Sequence, residues 1–158
     1  STSIDSLRRM LDCRKLPQPI AKAGPMQDST AIQNALADLA SRSDAIAVLW
    51  LYGSRAKGTA TPASDFDLAV AFREFEKDPL ERRLRPELLA QAWQDALGLA
   101  EGRLSMVDIN LAPLPLAHAI IRTGRVLQAN DRLRLIREEQ RIGSMWEIDH
   151  LYHQRHFA

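Results

Sequence analysis

The sequence predicts an α/β domain: a small β-sheet flanked by helices, with a helix at its C-terminal end. Three features predict it. Short apolar runs at 45–52, 66–72 and 104–111 read as strands. Amphipathic helical patterns alternate with these runs. The 158 residues, 46% apolar and 26% charged, suit one ordinary globular domain that can bury a core without disulfides or metals.

Taken in order, residues 5–14 predict a short helix with Leu7, Met10 and Leu11 on one side. Residues 15–27 hold three prolines and a glycine and read as an extended arm. The chain thus divides into an arm over 1–27 and a domain over 28–158. Asp28 or Ser29 caps a helix to about Ser41, in which Ile32, Leu36 and Leu39 fall at helical spacing. The run AIAVLWLY at 45–52 is short, continuous and bounded by Asp44 and Gly53, as in a strand buried on both faces. Residues 53–65 are small and polar and form a loop, with one helical turn at its start.

FDLAVAF at 66–72 is the second strand, with Asp67 on the face opposite Phe66 and Leu68. A helix follows over 80–98, with Leu84, Leu88, Leu89, Ala92, Trp93 and Leu97 inward. Pro86 either starts it or kinks it. LSMVDINL at 104–111 is the third strand, interrupted by Asp108. Pro113 and Pro115 open a short helix that Gly124 ends, and 125–128 reads as an edge strand. Residues 131–156 form a charged amphipathic helix carrying Leu133, Ile136, Ile142, Trp146, Leu151 and Tyr152.

Composition excludes several classes. The 21 basic and 20 acidic residues leave a net charge of +1, which argues against a broad nucleic-acid surface and predicts no direct nucleic-acid partner. Seventeen of the basic residues are Arg, the side chain suited to bidentate phosphate contacts, although a GC-rich genome gives the same bias. The single cysteine, Cys13, rules out an internal disulfide or a Cys-rich zinc site. No apolar run is long enough to span a membrane, and the N-terminus has no basic-then-apolar leader. A cytoplasmic protein is expected.

The chemistry concentrates in Tyr52-Gly53-Ser54-Arg55-Ala56-Lys57-Gly58 and Ser64-Asp65-Phe66-Asp67. A buried strand that ends in Gly-Ser lets backbone approach an anion, and successive N–H groups can cradle phosphate. The Ser54 hydroxyl can donate to a phosphate oxygen, and Arg55 and Lys57 can neutralise a triphosphate. Asp65 and Asp67, at i and i+2 of an extended chain, face the same way about 7 Å apart and repel unless a cation lies between them. Oxygen ligands beside a phosphate cradle suit Mg²⁺. Asp108, a charge in an apolar strand, is costly unless paired or metal-bound, and a neighbouring strand would bring it beside the pair. Three carboxylates, one or two Mg²⁺ and a phosphate cradle suit in-line nucleotidyl transfer. The alternative is a polar hairpin loop with a capping Asp and a stray buried Asp. His150, His153 and His156 share a helix face but read as a solvated end, and His118 as a packed histidine.

Gly53-Ser54, ten intervening residues and Asp65-x-Asp67 resemble the signature of the polymerase-β-like nucleotidyltransferases. The pattern through Ser64-Asp65-x-Asp67-Leu68, with the late segment MVDINLAPLPLAHAIIRTGRVLQ at 106–128, is similar to their minimal branch, especially the MntA-type antitoxins paired with HEPN toxins. The resemblance spans about residues 30–155. It implies a small mixed sheet, with Gly53 and Ser54 on the triphosphate of ATP and Asp65 and Asp67 on Mg²⁺. It makes Asp108 the third carboxylate, activating an acceptor hydroxyl. It also implies a partner, a HEPN ribonuclease toxin silenced by AMP added to a tyrosine. Ser64 is included with the nucleotide contacts, although a turn-capping role suits it better. The arm over 1–27 exceeds the minimal domain. Two other readings stand beside this one: transfer to a small molecule such as an aminoglycoside, and a non-enzymatic antitoxin that acts by binding alone.

Overall fold

A computed structural model of the chain describes residues 29–157; the expected 5–14 helix and the arm to 27 lie outside the described residues. The elements are α1 (Ser29–Ser41), β1 (Ile46–Tyr52), the single-turn α2 (Ser54–Lys57), β2 (Phe66–Phe72), α3 (Pro79–Ala96), β3 (Leu104–Asp108), α4 (Leu114–Thr123), β4 (Arg125–Ala129) and α5 (Arg132–Phe157).

The four strands form one mixed sheet in the order β3-β2-β1-β4. β1 runs antiparallel to both β2 and β4, while β2 and β3 are parallel. The reason lies in connection length. One turn of α2 cannot carry the chain across a sheet, so β1 and β2 close as a hairpin; α3 is long enough to make β3 parallel to β2.

Strand alternation assigns each residue to one of two cores. Phe66, Leu68, Val70 and Phe72 of β2 pack with Ile32, Leu36 and Leu39 of α1 and Leu89 and Trp93 of α3. Ala69 and Ala71 face Trp50 of β1, Ala117 and Ile120 of α4 and Ile142 of α5. In the β1–β2 ladder the register of β1 shifts between Ile46 and Val48, which puts Ala47 and Val48 on the same core, and the β1–β4 ladder shifts between Leu49 and Trp50. Such a shift is a bulge, one extra residue in a ladder.

Helix boundaries follow local chemistry. Asp78 caps α3 by accepting from the N–H groups of Leu80 and Glu81, with Pro79 in the first turn. Pro86 lies inside this helix rather than at its start. Its buried face is Arg85, Pro86, Leu89, Ala90, Trp93 and Gln94, so Leu84, expected inward, points outward instead. β3 stops at Asp108, three residues short of its expected end. There the Asp108 carboxylate accepts from Asn110 N–H at 2.9 Å and its carbonyl from Leu111 and Ala112, turning the chain. His118 of α4 stacks on Trp146 of α5 with centroids 4.0 Å apart, the packed histidine that was expected. Among the described residues no helix is long and apolar enough to cross a membrane.

Candidate active site

The β1–β2 hairpin carries the site at its loop end. Tyr52, the last residue of β1, pairs with Asp67, the second residue of β2. Gly53 follows with φ 73° and ψ −152°, a conformation that disfavours any side chain. A Cβ on Gly53 would lie 2.6 Å from Asp67 Oδ2, so the missing side chain is what lets the Gly-Ser turn come against the carboxylate. Ser54 opens α2, and Gly58, left-handed at φ 76°, ends it by donating its N–H to the Ser54 carbonyl. Lys57 is exposed at the end of that turn.

The loop from Pro62 to Ser64 is held by two arginines. Arg55 Nη2 donates to the Ser64 carbonyl at 2.7 Å and reaches that of Pro62 at 3.4 Å. Arg103 Nη1 donates to the Ala63 and Ser64 carbonyls, both at 3.0 Å. Both guanidiniums lie over the Phe66 ring, at 4.3 and 5.8 Å from its centroid. The Ser64 hydroxyl accepts from Thr61 N–H at 2.9 Å and ties the turn. Arg55 and Ser64, expected on the nucleotide, are therefore engaged in shaping the loop that presents Asp65. Arg103 is a site residue that sequence reasoning missed; no spacing connects it with a loop 39 residues away.

Asp65 is more than half exposed and lies 4.0 Å from Arg103 Nη1. Asp67 is partly buried, and burial first and the Asp65 charge second push its carboxyl above the usual range. Burial, followed by the Asp67 charge, likewise raises the Tyr52 phenol. Two neighbouring carboxylates, one of them partly buried, against a turn without a Cβ are a donor set that fits Mg²⁺ shared with substrate phosphates. Among the described residues no group of three or more His, Cys, Asp or Glu side chains could hold a metal. His150 contacts Gln154 and His153 approaches Asp149, both exposed.

Asp108 does not join the pair, and the expected three-carboxylate cluster is corrected on this point. In the parallel β2–β3 ladder Asp67 faces Ser105, while Asp108 faces Val70. Asp108 shares the alternation of Leu104 and Met106, which pack into the α1–α3 core; Asp67 shares that of Ala69 and Ala71, in the other core. The two carboxylates thus stand on opposite faces of the sheet, three positions or about 10 Å apart along it. Asp108 is 5% exposed, accepts from Asn110 N–H and lies 3.9 Å from Arg85 Nη2. Burial raises its carboxyl, and the Asn110 bond and the Arg85 and Arg134 charges oppose that rise. The expectation that Asp108 needs a partner holds: Arg85 stands beside it.

No curated protein matches the chain significantly. Several solved structures do. A chain of the tri-AMPylated Shewanella oneidensis HEPN toxin in complex with MNT antitoxin aligns at TM-score 0.58 and 20% identity, over 80% of this chain and 92% of that one. A chain of the toxin–antitoxin pair MntA–HepT aligns at TM-score 0.57 and 19% identity, over 80% and 94%. A chain of a toxin–antitoxin complex with AMP-PNP aligns at TM-score 0.55 and 22% identity, over 70% and 82%. At these identities the likeness is one of fold. The family model for polymerase beta, nucleotidyltransferase, matches residues 34–133, which run from α1 into the start of α5 and include the whole hairpin site. That match spans more than half of the chain: the protein belongs to the polymerase beta nucleotidyltransferase family, as a nucleotidyltransferase.

Proposed function

We propose that this nucleotidyltransferase is an antitoxin that transfers AMP from Mg-ATP to a tyrosine hydroxyl of a HEPN ribonuclease toxin and so silences it. The observation that carries the reading is Gly53 seated against Asp67, which joins the Gly-Ser turn to a partly buried carboxylate. The fold likeness to chains from HEPN–MNT complexes supports the partner, one of those toxins being tri-AMPylated.

In this reading Gly53 and Ser54 meet the triphosphate, with Lys57 at the end of the same turn adding charge. Asp65 and Asp67 hold Mg²⁺, which would neutralise phosphate charge and polarise the α-phosphoryl group. Arg55 and Arg103 keep the loop in place, so that Asp65 is presented without rearrangement. The acceptor oxygen bonds to the α-phosphorus as the bond to pyrophosphate breaks, and the phenolic proton leaves to solvent on the open Asp65 side.

The test is incubation with α-labelled ATP, Mg²⁺ and a HEPN protein encoded beside it, next to an Asp65→Ala, Asp67→Ala double variant. Label on the partner with the wild type only is the expected result. An unlabelled but silenced ribonuclease would instead establish neutralisation by binding alone, and label on a small-molecule acceptor would establish the remaining alternative.

A further inference from the structure

The sheet register carries a consequence for the number of cations. Tyr52, Asp67 and Ser105 form a row across β1, β2 and β3, each paired with the next. Bridge partners in a ladder point to the same face, as the neighbouring pairs show: Leu68 and Met106 share one core, Ala69 and Val107 the other. Ser105 therefore stands beside Asp67 on its own face, one strand spacing away, about 4.8 Å. It is exposed, in a strand where Leu104 and Met106 on either side are buried. On the other flank stands Tyr52, which brings a phenol and no carboxylate. Asp108 is removed to the opposite face and engaged with Arg85.

We infer, resting on the nucleotide-binding reading above, that Asp65 and Asp67 are the whole carboxylate set that the described residues bring to this site. Each chain then takes a single divalent cation with its nucleotide, and Ser105 occupies the position from which a third carboxylate would take a second cation. Two carboxylates and the nucleotide phosphates satisfy one hard cation, which keeps several waters and needs few protein ligands. A second hard cation at the attacking oxygen needs an anionic oxygen ligand of its own beyond the pair that holds the first. A serine hydroxyl is neutral and supplies none. Ser105 is thus a specificity-determining position for metal count, and its polarity keeps the row wet without adding charge.

The experiment counts Mn²⁺ bound to the full chain with AMP-PNP, by electron paramagnetic resonance and calorimetry, with a thermal melt on each variant. One Mn²⁺ per wild-type chain, two for Ser105→Asp and one for Asp108→Asn at unchanged Mn²⁺ affinity is the expected pattern. Two Mn²⁺ on the wild type, or loss of Mn²⁺ in Asp108→Asn at a temperature where it remains folded, overturns the inference while leaving the nucleotidyl-transfer reading intact. Absence of both Mn²⁺ and AMP-PNP from the wild type overturns that reading and the inference with it. The wild-type count decides even if Ser105→Asp does not fold.

Discussion

Gly53 adopts a backbone conformation that an L side chain reaches only under strain, and its missing Cβ leaves room for Asp67 Oδ2. Gly53→Ala meets both obstacles at once. We expect it to lower stability by about 1 kcal/mol or more through backbone strain. Displacement of the carboxylate should lower the transfer rate by about 100-fold, the loss expected for a misplacement of this kind. Melting curves and single-turnover labelling measure the two effects separately. Asp67 itself should oppose folding in the absence of metal. Its carboxyl is raised above the ordinary 3.8, so the native state holds the proton more tightly than the unfolded chain. Stability then falls as pH rises from about 3.8 through the raised native value, and stays lower above it. Asp67→Asn removes this loss. Its unfolding free energy without metal, from melting curves, should exceed wild type at neutral pH, by less than about 1 kcal/mol because the group is largely solvent-screened. The two should converge in acid.

Among the elements, the hairpin and its loop were legible because their chemistry is local. Gly-Ser, the two glycines and Asp-x-Asp lie within one strand–turn–strand stretch, so spacing alone brought them together. Asp108 was misread for the opposite reason. Its burial was legible as a polar interruption of an apolar strand, but its face was not. The alternation of Leu104, Ser105, Met106, Val107 and Asp108 already separates Ser105 from Asp108. Only the pairing with β2 says which of the two faces matches Asp67. The inward face of α3 was offset for a related reason: the buried Arg85 and Pro86 turn its packing surface away from Leu84. Glycine positions offer a test of element packing. At Gly124, between α4 and β4, a Cβ would lie 2.3 Å from the Ile120 carbonyl and 3.0 Å from that of Leu51, both backbone. At Gly143, inside α5, it would meet nothing within 4 Å. Gly124→Ala should cost about 1–3 kcal/mol by overpacking. Gly143→Ala should stabilise by about 0.5–1 kcal/mol through helix propensity. Chemical denaturation of the two variants checks the opposite signs.

At the scale of the molecule, the sheet has a reactive end and a tied end. The reactive end holds the carboxylate pair. At the tied end Arg134 joins β2 to α5, donating to the Phe72 carbonyl at 2.9 Å and to Glu138 at 2.8 Å. Glu138 also accepts from Asn110 at 2.9 Å and from Arg141 at 2.7 Å. Burial alone would raise the Glu138 carboxyl; the bonds from Asn110, Arg134 and Arg141 overcome it and hold it below the ordinary 4.5. Its contribution is therefore complete above pH 4.5 and is lost as pH falls through the lower native value. Glu138→Gln should destabilise by about 2 kcal/mol, below the range for fully buried pairs because both arginines keep some solvent. Its acid transition should also be flatter below pH 4.5 than that of the wild type, as read by melting temperature against pH.

The arginine clamp on the Pro62–Ser64 carbonyls has a consequence in time. Arg55 reaches those carbonyls from within the hairpin, at sequence separations of 7 and 9, whereas Arg103 reaches them from 39 to 41 residues away. Closing a long chain loop is slower and entropically dearer than closing a short one. The hairpin can therefore assemble with half of its clamp while the chain beyond it is still unfolded, and the second guanidinium arrives only when β3 docks. Local closure of the hairpin turn is thus favoured over the long-range half of the clamp, so Asp65 gains its Arg103 neighbour only with β3 in place.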